Sequence, residues 1–201
     1  MTTARRTHAE RQRDAEDRLT QALAELIAEQ GYERTTAAQI GERAGYSRAA
    51  VRDRYDSKDG LLLALHERYE RLLLGDDPAS APTTLAEFFA RLSAFATQHP
   101  EWLRAIFIVS FESLGAANDA FAPTVHRWVA ALDEVALRLL RVEQEAGRVR
   151  ADLDLDVYVP RAVEGLVGAA FRWCLSGTPE SGAAFIESRI ASAVADLAPP
   201  T

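Results

Sequence analysis

The sequence predicts an all-α protein, and three observations lead to this fold class. Apolar residues recur three and four positions apart over most of the chain, which is the spacing of one buried face of a helix. Thr, Ser and Gly residues stand where such helices would begin and end. No segment alternates apolar and polar residues with period two, so we expect no β-sheet. The chain has 201 residues, 48% of them apolar, which is enough for a buried core.

The first third of the chain begins with two predicted helices. The first helix carries five apolar residues on one face: Leu19, Ala22, Leu23, Leu26 and Ile27. Gly31 is expected to end it, because glycine is favoured just past a helix C-terminus. Thr36 and Gln39 are spaced as a capping box, in which each side chain binds the other residue's backbone N–H group. The box predicts a short second helix that runs to Ala44 and is stopped by Gly45.

Two further helices complete this first third. Ser47 is a natural N-cap, and it predicts a third helix of about two turns that ends near Tyr55. Ser57 is placed to cap a fourth helix that runs to about Leu74. We therefore predict a first domain over residues 1–58, followed by a connecting helix.

The remainder of the chain predicts a larger helical domain over residues 75–201, with the connecting helix at 59–74. A polar break with two prolines at 75–82 is the candidate boundary. Thr84 and Glu87 form a second predicted capping box, for a helix that ends before His99. The next predicted helix, 102–111, is apolar nearly all round, so we expect it in the middle of the domain. A long helix is predicted between a break at 115–123 and Gly147. Two more helices are predicted after it, at about 156–175 and about 182–197.

Composition limits the classes of function. The net charge of −7 is divided unevenly: residues 1–58 hold 11 Lys and Arg against 10 Asp and Glu, whereas residues 59–201 hold 12 against 20. Such a chain does not coat nucleic acid non-specifically, but its N-terminal part can approach phosphate. The lone Cys174 cannot form an intramolecular disulfide, and the four histidines show no metal-ligand spacing. We expect no metal or cofactor, no membrane span, and a soluble cytoplasmic protein.

The strongest functional signal is the segment 36–55, which has the form helix, glycine turn, helix. This is the pattern of a helix-turn-helix, a motif that places its second helix in the major groove of DNA. That helix would present five residues outward: Arg48, Ala49, Ala50, Arg52 and Arg54. The same pattern also fits an ordinary helical corner with a solvated charged face.

The residues in and around this segment resemble the N-terminal domain of TetR-family regulators. The matching residues, in order and at the family's spacing, are Gly31-Tyr32, Thr35-Thr36, Ile40-Gly-Glu-Arg-Ala-Gly45, Ser47-Arg48, Tyr55 and Ser57-Lys58-Asp-Gly-Leu61-Leu62. The resemblance implies a DNA-binding regulator, commonly a repressor. In the C-terminal two thirds, only the helical layout is similar.

The resemblance also implies roles for individual residues. The implied DNA-binding set is Thr36, Ser47, Arg48, Ala49, Ala50, Arg52, Arg54 and Lys58. Two residues of this set match phosphate contacts, Thr36 and Lys58. Three match positions near base edges: Arg48, Ala49 and Arg52. Arg54 matches a contact to the DNA backbone. This chain departs from the family at Arg52, where tyrosine is usual, and at its two alanines. Asp53 has three interpretations: it accepts a hydrogen bond from cytosine, it orients a neighbouring arginine, or it avoids the DNA.

The larger domain offers candidates for a small-molecule site. Its aromatic residues Trp102, Phe107, Phe111, Trp128 and Phe171 would line an apolar cavity, and Glu112 and His126 would fix the polar end of a ligand. The alternative is that the aromatic residues are plain core and that the two polar ones are structural or exposed.

The last two predicted helices suggest a homodimer. Gly165 lies among apolar residues in a helix interior, where glycine costs about 1 kcal/mol relative to alanine unless close helix approach compensates. The resemblance implies that both helices pair with their copies across a two-fold axis, which lets a dimer contact two half-sites of a palindromic operator. Two rival classes remain at this point. One is a helical enzyme that uses Glu112 and His126, and the other is a hydrophobic carrier without DNA function.

Overall fold

The fold is all-α, as the sequence predicts. The structure is a computed structural model that describes residues 7–77, 79–113, 121–175 and 181–199, and no strand occurs in these ranges. The helices are α1 (His8–Gln30), α2 (Ala37–Ala44), α3 (Arg48–Tyr55), α4 (Lys58–Leu74), α5 (Leu85–Gln98), α6 (Pro100–Glu112), α7 (Ala122–Glu145), α8 (Leu155–Leu175) and α9 (Gly182–Leu197). Most of the break predicted at 115–123, and all of the one at 176–179, lies outside the described residues.

The predicted caps position the helices of the first domain. Thr36 and Gln39 form the reciprocal capping box of α2: the Gln39 N–H donates to Thr36 Oγ1 at 3.3 Å, and the Thr36 N–H donates to Gln39 Oε1 at 2.9 Å. Ser47 Oγ accepts the N–H of Ala50 at the start of α3, at 3.3 Å. Ser57 Oγ accepts the N–H of Gly60 at the start of α4. These caps satisfy backbone donors that each helix leaves without an internal partner.

The start of α1 and the capping box of α5 differ from the prediction. Helix α1 begins at His8, well before the stripe that starts at Leu19, because its first turns are polar and are fixed by a capping box of Thr7 and Glu10. Helix α5 is capped as predicted by Thr84 Oγ1, which accepts the Glu87 N–H at 3.1 Å. The return bond, however, runs from the Thr83 N–H to the Glu87 carboxylate at 2.9 Å.

Two glycines make the turns of the first domain possible. Gly45, between α2 and α3, has φ +77°, a left-handed conformation that costs glycine little. Gly60 lies against the end of α3, where a Cβ atom would stand 2.0 Å from the Tyr55 carbonyl oxygen. The junction between α3 and α4 is therefore closed to any side chain at position 60.

The two parts of the chain share one apolar core. The stripe of α1 is fully buried, and this helix packs against α2, α4 and α6. Helix α6 also packs against α5, α8 and α9, which confirms its predicted central position. The largest cluster of buried apolar side chains accordingly extends from Leu19 in α1 to Ile186 in α9. The domain boundary at 75–82 stays a prediction.

Candidate nucleic-acid interface and apolar cavity

Helix α3 is held on α2 by one apolar edge. Ile40 and Ala44 of α2 and Val51 of α3 are buried, and Tyr55 is half-buried. The guanidinium of Arg43 in α2 binds Glu29 of α1 through two bonds of 2.8 Å, so that α2 is in turn fixed to α1. Sequence analysis missed this pairing because the two residues lie on different helices.

The opposite edge of α3 faces solvent. Ala49, Arg52, Asp53 and Arg54 are exposed and Ala50 is half-buried, whereas the side chain of Arg48 lies outside what the structure describes. Because successive residues turn by about 100°, Ala49 and Asp53 lie near the centre of the exposed face. Arg52 and Arg54 stand on opposite flanks, about 200° apart. The small side chain of Ala49 lets another surface approach the helix closely between two cations.

Arg52 lies beside the first turns of two other helices. It lines a shallow hollow together with Ala37, the first residue of α2, and Ser57, the N-cap of α4. Free N–H groups at helix N-termini favour an anion, and so does the arginine. Asp56 lines the same hollow, and its carboxylate opposes an anion there. On charge alone, the flank of α3 at Arg52 suits one phosphate at the rim of the hollow.

The two predicted phosphate contacts occupy different environments. Thr36 is exposed at the N-terminus of α2, although its hydroxyl already takes part in the capping box. Lys58 is half-buried: its Nζ donates to the Tyr32 carbonyl oxygen at 2.9 Å and lies 3.8 Å from the centre of the Tyr32 ring. An ammonium group has three donors, so Lys58 retains donors for a phosphate.

The second part of the chain contains a partly open apolar cavity of about 340 Å³. Its wall comes from six helices, with Tyr69 of α4, Phe88 of α5, Phe107 of α6, Trp128 of α7, Leu166 of α8 and Ile190 of α9. The volume and the apolar lining are those of a small-molecule site. Of the seven predicted ligand residues, this cavity brings together Phe107 and Trp128.

The other five predicted ligand residues lie elsewhere. Trp102 is buried against α1, where its Nε1 donates to Gln21 Oε1 at 2.7 Å, and it lines a separate, polar cleft. Phe111 packs edge-to-face against Phe171, which is 48% exposed. His126 is exposed on α7.

Glu112, the last of the five, binds the backbone of the first domain. Its Oε2 accepts the N–H of Tyr32 at 2.9 Å.

Sequence analysis missed most of the cavity wall. Tyr69 and Leu92 follow the apolar stripes of their helices, and the stripe of a helix does not distinguish a cavity wall from filled core. The polar members Arg161, Arg189 and Asp196 were missed because they lie on the two helices assigned to a dimer interface.

The first domain matches a known protein family. The model of the bacterial regulatory proteins, tetR family, matches residues 19–65, which include all of α2 and α3. The chain carries a TetR-family DNA-binding domain. TetR-family proteins are DNA-binding regulators and not enzymes, so the helix-turn-helix interpretation holds and the enzyme alternative falls.

The fold of the whole chain is similar to solved TetR-type structures. CprB, a TetR family protein from S. coelicolor A3(2), is 20% identical with a TM-score of 0.67, over 95% of this chain and 92% of CprB. The MbdR regulator from Azoarcus sp. CIB is 20% identical with a TM-score of 0.66, over 91% and 98%. SmeT, the repressor of the Stenotrophomonas maltophilia multidrug efflux pump SmeDEF, is 17% identical with a TM-score of 0.63, over 92% of each chain. SmeT is also known in a complex with triclosan.

Two other findings concern the chain as a whole. None of the curated proteins matches it in sequence. Across the part of the chain that the structure describes, no helix is both long and apolar enough to cross a bilayer, and no group of three His, Cys, Asp or Glu side chains is placed to hold a metal ion.

The TetR-family domain and the cavity are joined at Tyr32. The Tyr32 N–H is held by Glu112 at the end of α6, its ring and carbonyl oxygen hold Lys58, and its hydroxyl donates to Asp59. Burial, followed by the neighbouring Asp59 carboxylate, raises the pKa of the Tyr32 phenol well above its usual range. Tyr32 therefore ties the turn after α1 to α6 on one side and to the start of α4 on the other.

A buried histidine stands behind the cavity wall. His66 of α4 is 3% exposed and lies in edge contact with Tyr69, Phe121 and Trp128. Among the described residues, neither of its ring nitrogens has a hydrogen-bond partner, although Glu70 Oε1 lies 3.6 Å from Nδ1. Burial, with a smaller effect of the Arg127 charge, lowers the pKa of His66 to about 4. At neutral pH this ring is therefore uncharged.

Proposed function

We propose that this chain is a ligand-responsive transcriptional regulator that binds a palindromic operator as a homodimer. In this proposal it acts in the cytoplasm as a repressor, and a small apolar or amphipathic effector releases it from DNA. One observation supports the link between the two activities. Helix α6 contributes Phe107 to the cavity wall and, at its C-terminal end, Glu112 to the backbone of the DNA-binding domain.

The DNA-binding step rests on α3. The exposed centre of this helix carries Ala49 and Asp53, which we assign to the floor of the major groove. Arg52 and Arg54, on the flanks, are assigned to the groove edges, where an arginine binds either a guanine or a phosphate. Thr36 and Lys58 supply phosphate contacts at the starts of α2 and α4. The sequence-based assignment of Arg52 to base edges thus competes with a phosphate contact, and mutation separates the two.

The effector step rests on the cavity. A ligand that fits only one arrangement of the cavity wall stabilises that arrangement by its differential affinity. Because α6 is a rigid element that carries both Phe107 and Glu112, a shift of its cavity end is transmitted to the turn after α1. Moving that turn changes the position of α2 and α3 relative to the operator. SmeT, a protein of similar fold, is known in a complex with triclosan.

The dimer rests on the outer surfaces of α8 and α9. Phe171 and Leu175 of α8 are 48% and 68% exposed, and Val194 of α9 is 53% exposed. Gly165, at the edge of the cavity lining, and Gly168 both face open space, since a Cβ atom at either position would meet nothing within 4 Å. No close approach within one chain explains these glycines, whereas a second copy packed on α8 does. An apolar surface with glycines at its centre suits a helix–helix contact.

Selection of bound sequences from random DNA by the purified protein tests the proposal. We expect enrichment of a palindromic sequence whose half-sites lie about one helical turn apart, with affinity that falls steeply as salt rises. Compounds are then screened for release of that DNA. A protein that enriches no sequence would be a helical carrier instead, and the proposal would fail.

A further inference from the structure

The cavity wall carries an arginine without a counter-charge. Arg189 of α9 is half-buried and lines the cavity, and its Nε atom is buried without a hydrogen-bond partner among the described residues. Its Nη2 atom donates to the Ser188 hydroxyl at 3.1 Å. No carboxylate of the described residues forms an ion pair with it. A buried donor of this kind costs free energy unless something pairs with it.

The one acid that lines the cavity among the described residues is remote from this guanidinium. Asp196 also lines the cavity, but it lies seven residues further along α9, about 10 Å along the helix axis. Its charge acts on Tyr158, whose pKa it raises after the larger effect of burial. Arg161 of α8 is exposed on the cavity wall and adds a second positive charge. Among the described residues, the charged lining is therefore two arginines and one aspartate.

Apart from Ser192, the rest of the lining near Arg189 is apolar. Ile186 and Ile190 flank it on α9, and Phe107 and Trp128 stand on the facing helices of the same cavity. A molecule that fills this space must be apolar over most of its surface. Only an acceptor group satisfies the free guanidinium donor, and an anionic acceptor does so most strongly.

We infer that the effector of this regulator is an amphipathic organic anion, whose apolar body fills the cavity and whose carboxylate pairs with Arg189. This inference rests on the proposed function and specifies the chemistry of its ligand. A carboxylate accepts two parallel bonds from a guanidinium, including one from Nε, which gives the site orientation as well as affinity. A neutral amide offers a weaker acceptor, and an ammonium group is repelled.

The test uses probes that differ only in their polar head. Phenyl, naphthyl and decyl bodies are each prepared as carboxylate, primary amide and amine, and their binding to the full-length protein is measured by calorimetry. We expect at least one carboxylate to bind about tenfold more tightly than its amide, with the amine weakest. Arg189→Gln should abolish this preference, and Arg189→Lys should retain part of it. Arg141→Gln, an exposed arginine outside the cavity lining, is the matched control and should keep the preference.

Each outcome of this test either supports or overturns the inference about the effector. Equal affinity for the three heads, tighter binding of amides or amines, or no binding by any carboxylate overturns the inference. A preference that survives in Arg189→Gln also overturns it. Binding of the amides to Arg189→Gln shows that the variant is folded with an intact cavity. If a neutral compound releases DNA while carboxylates do not, the proposed regulator stands and only the anionic effector fails.

Discussion

Glu112 and Tyr32, eighty residues apart in sequence, are joined by a hydrogen bond of 2.9 Å from the Tyr32 backbone N–H to Glu112 Oε2. The carboxylate lies at the C-terminal end of α6, and the N–H belongs to the turn that follows α1. The fit is tight, because a Cβ atom at Gly31 would stand 2.6 Å from Glu112 Oε1. The last turn of α6 is thereby fixed to the DNA-binding domain.

Removing the Glu112–Tyr32 hydrogen bond should destabilise the protein. Glu112→Ala leaves the Tyr32 N–H unpaired, so we expect the free energy of unfolding to fall by about 1–3 kcal/mol. Glu112→Gln keeps an acceptor and should lose less. Urea denaturation measures both, with Glu187→Ala, at an exposed position on α9, as the control. Equal stability of Glu112→Ala and the wild type would show that the bond does not contribute.

Arginine substitutions on the two flanks of α3 distinguish base contact from phosphate contact. If Arg52 binds phosphate, Arg52→Ala weakens binding to specific and scrambled duplexes alike. The slope of log affinity against log salt concentration then becomes shallower by about one. If it binds a guanine, the variant loses about 1–3 kcal/mol on the specific duplex only. Arg54→Ala should weaken binding to both duplexes. Gel shifts at several salt concentrations measure these effects, with Arg141→Ala of α7 as the control. Unchanged binding by both α3 variants would exclude α3 from the interface.

His66 should make the fold sensitive to acid. The pKa of His66 is lowered from 6.5 to about 4 by folding. Between pH 4 and pH 6.5, the unfolded chain therefore binds a proton at His66 and the folded chain does not. Stability therefore falls as pH drops from 6.5 to 4, by on the order of 3 kcal/mol. His66→Gln should remove this part of the pH dependence, whereas His126→Gln, at an exposed position, should follow the wild type. Parallel pH profiles for the wild type and His66→Gln would contradict the assignment.

The junction between α3 and α4 should not tolerate a side chain at position 60. Gly60→Ala places a Cβ atom 2.0 Å from the Tyr55 carbonyl oxygen, so the backbone must move. We expect a loss of about 1–3 kcal/mol of stability, together with loss of DNA binding. Glu67→Ala, at an exposed position on α4, is the control for thermal unfolding. Wild-type DNA binding by Gly60→Ala would show that the α3–α4 junction does not set the orientation of α3.

A charge on the outer surface of α8 should prevent dimerisation. Leu175 is 68% exposed in one chain, so Leu175→Glu leaves the protomer folded but places an unpaired charge in the proposed interface. Ala169 is a poorer probe, because it packs partly against the core of its own chain. Light scattering should find a monomer for Leu175→Glu and a dimer for Val142→Glu, a substitution at an exposed apolar residue of α7. A wild type that is monomeric at micromolar concentration would refute the interface.

Local features of the fold could be predicted from the sequence, and long-range contacts could not. The start of α2 follows from Thr36 and Gln39, and those of α3 and α4 follow from Ser47 and Ser57, because a cap involves residues three apart. The start of α1 was missed because its first turns have no apolar face.

The cavity shows the same limit. Phe107 and Trp128 were expected in it, and the structure places both there. Trp102 has the same apolar character but is turned towards Gln21 of α1, and no periodicity distinguishes these orientations. Glu112 was a candidate ligand residue with a structural role as the alternative, and in the structure it binds a backbone N–H from a distant turn.

The measurement that tests the central claim most directly is the affinity of one effector for the free protein and for the protein–operator complex, by calorimetry. Coupling between two sites is reciprocal, so an effector that weakens operator binding must itself bind the complex more weakly by the same factor. We expect a factor of roughly 5–150, which corresponds to a coupling of about 1–3 kcal/mol. Equal affinity in the two titrations would contradict the account, even if the compound binds tightly and the protein binds its operator.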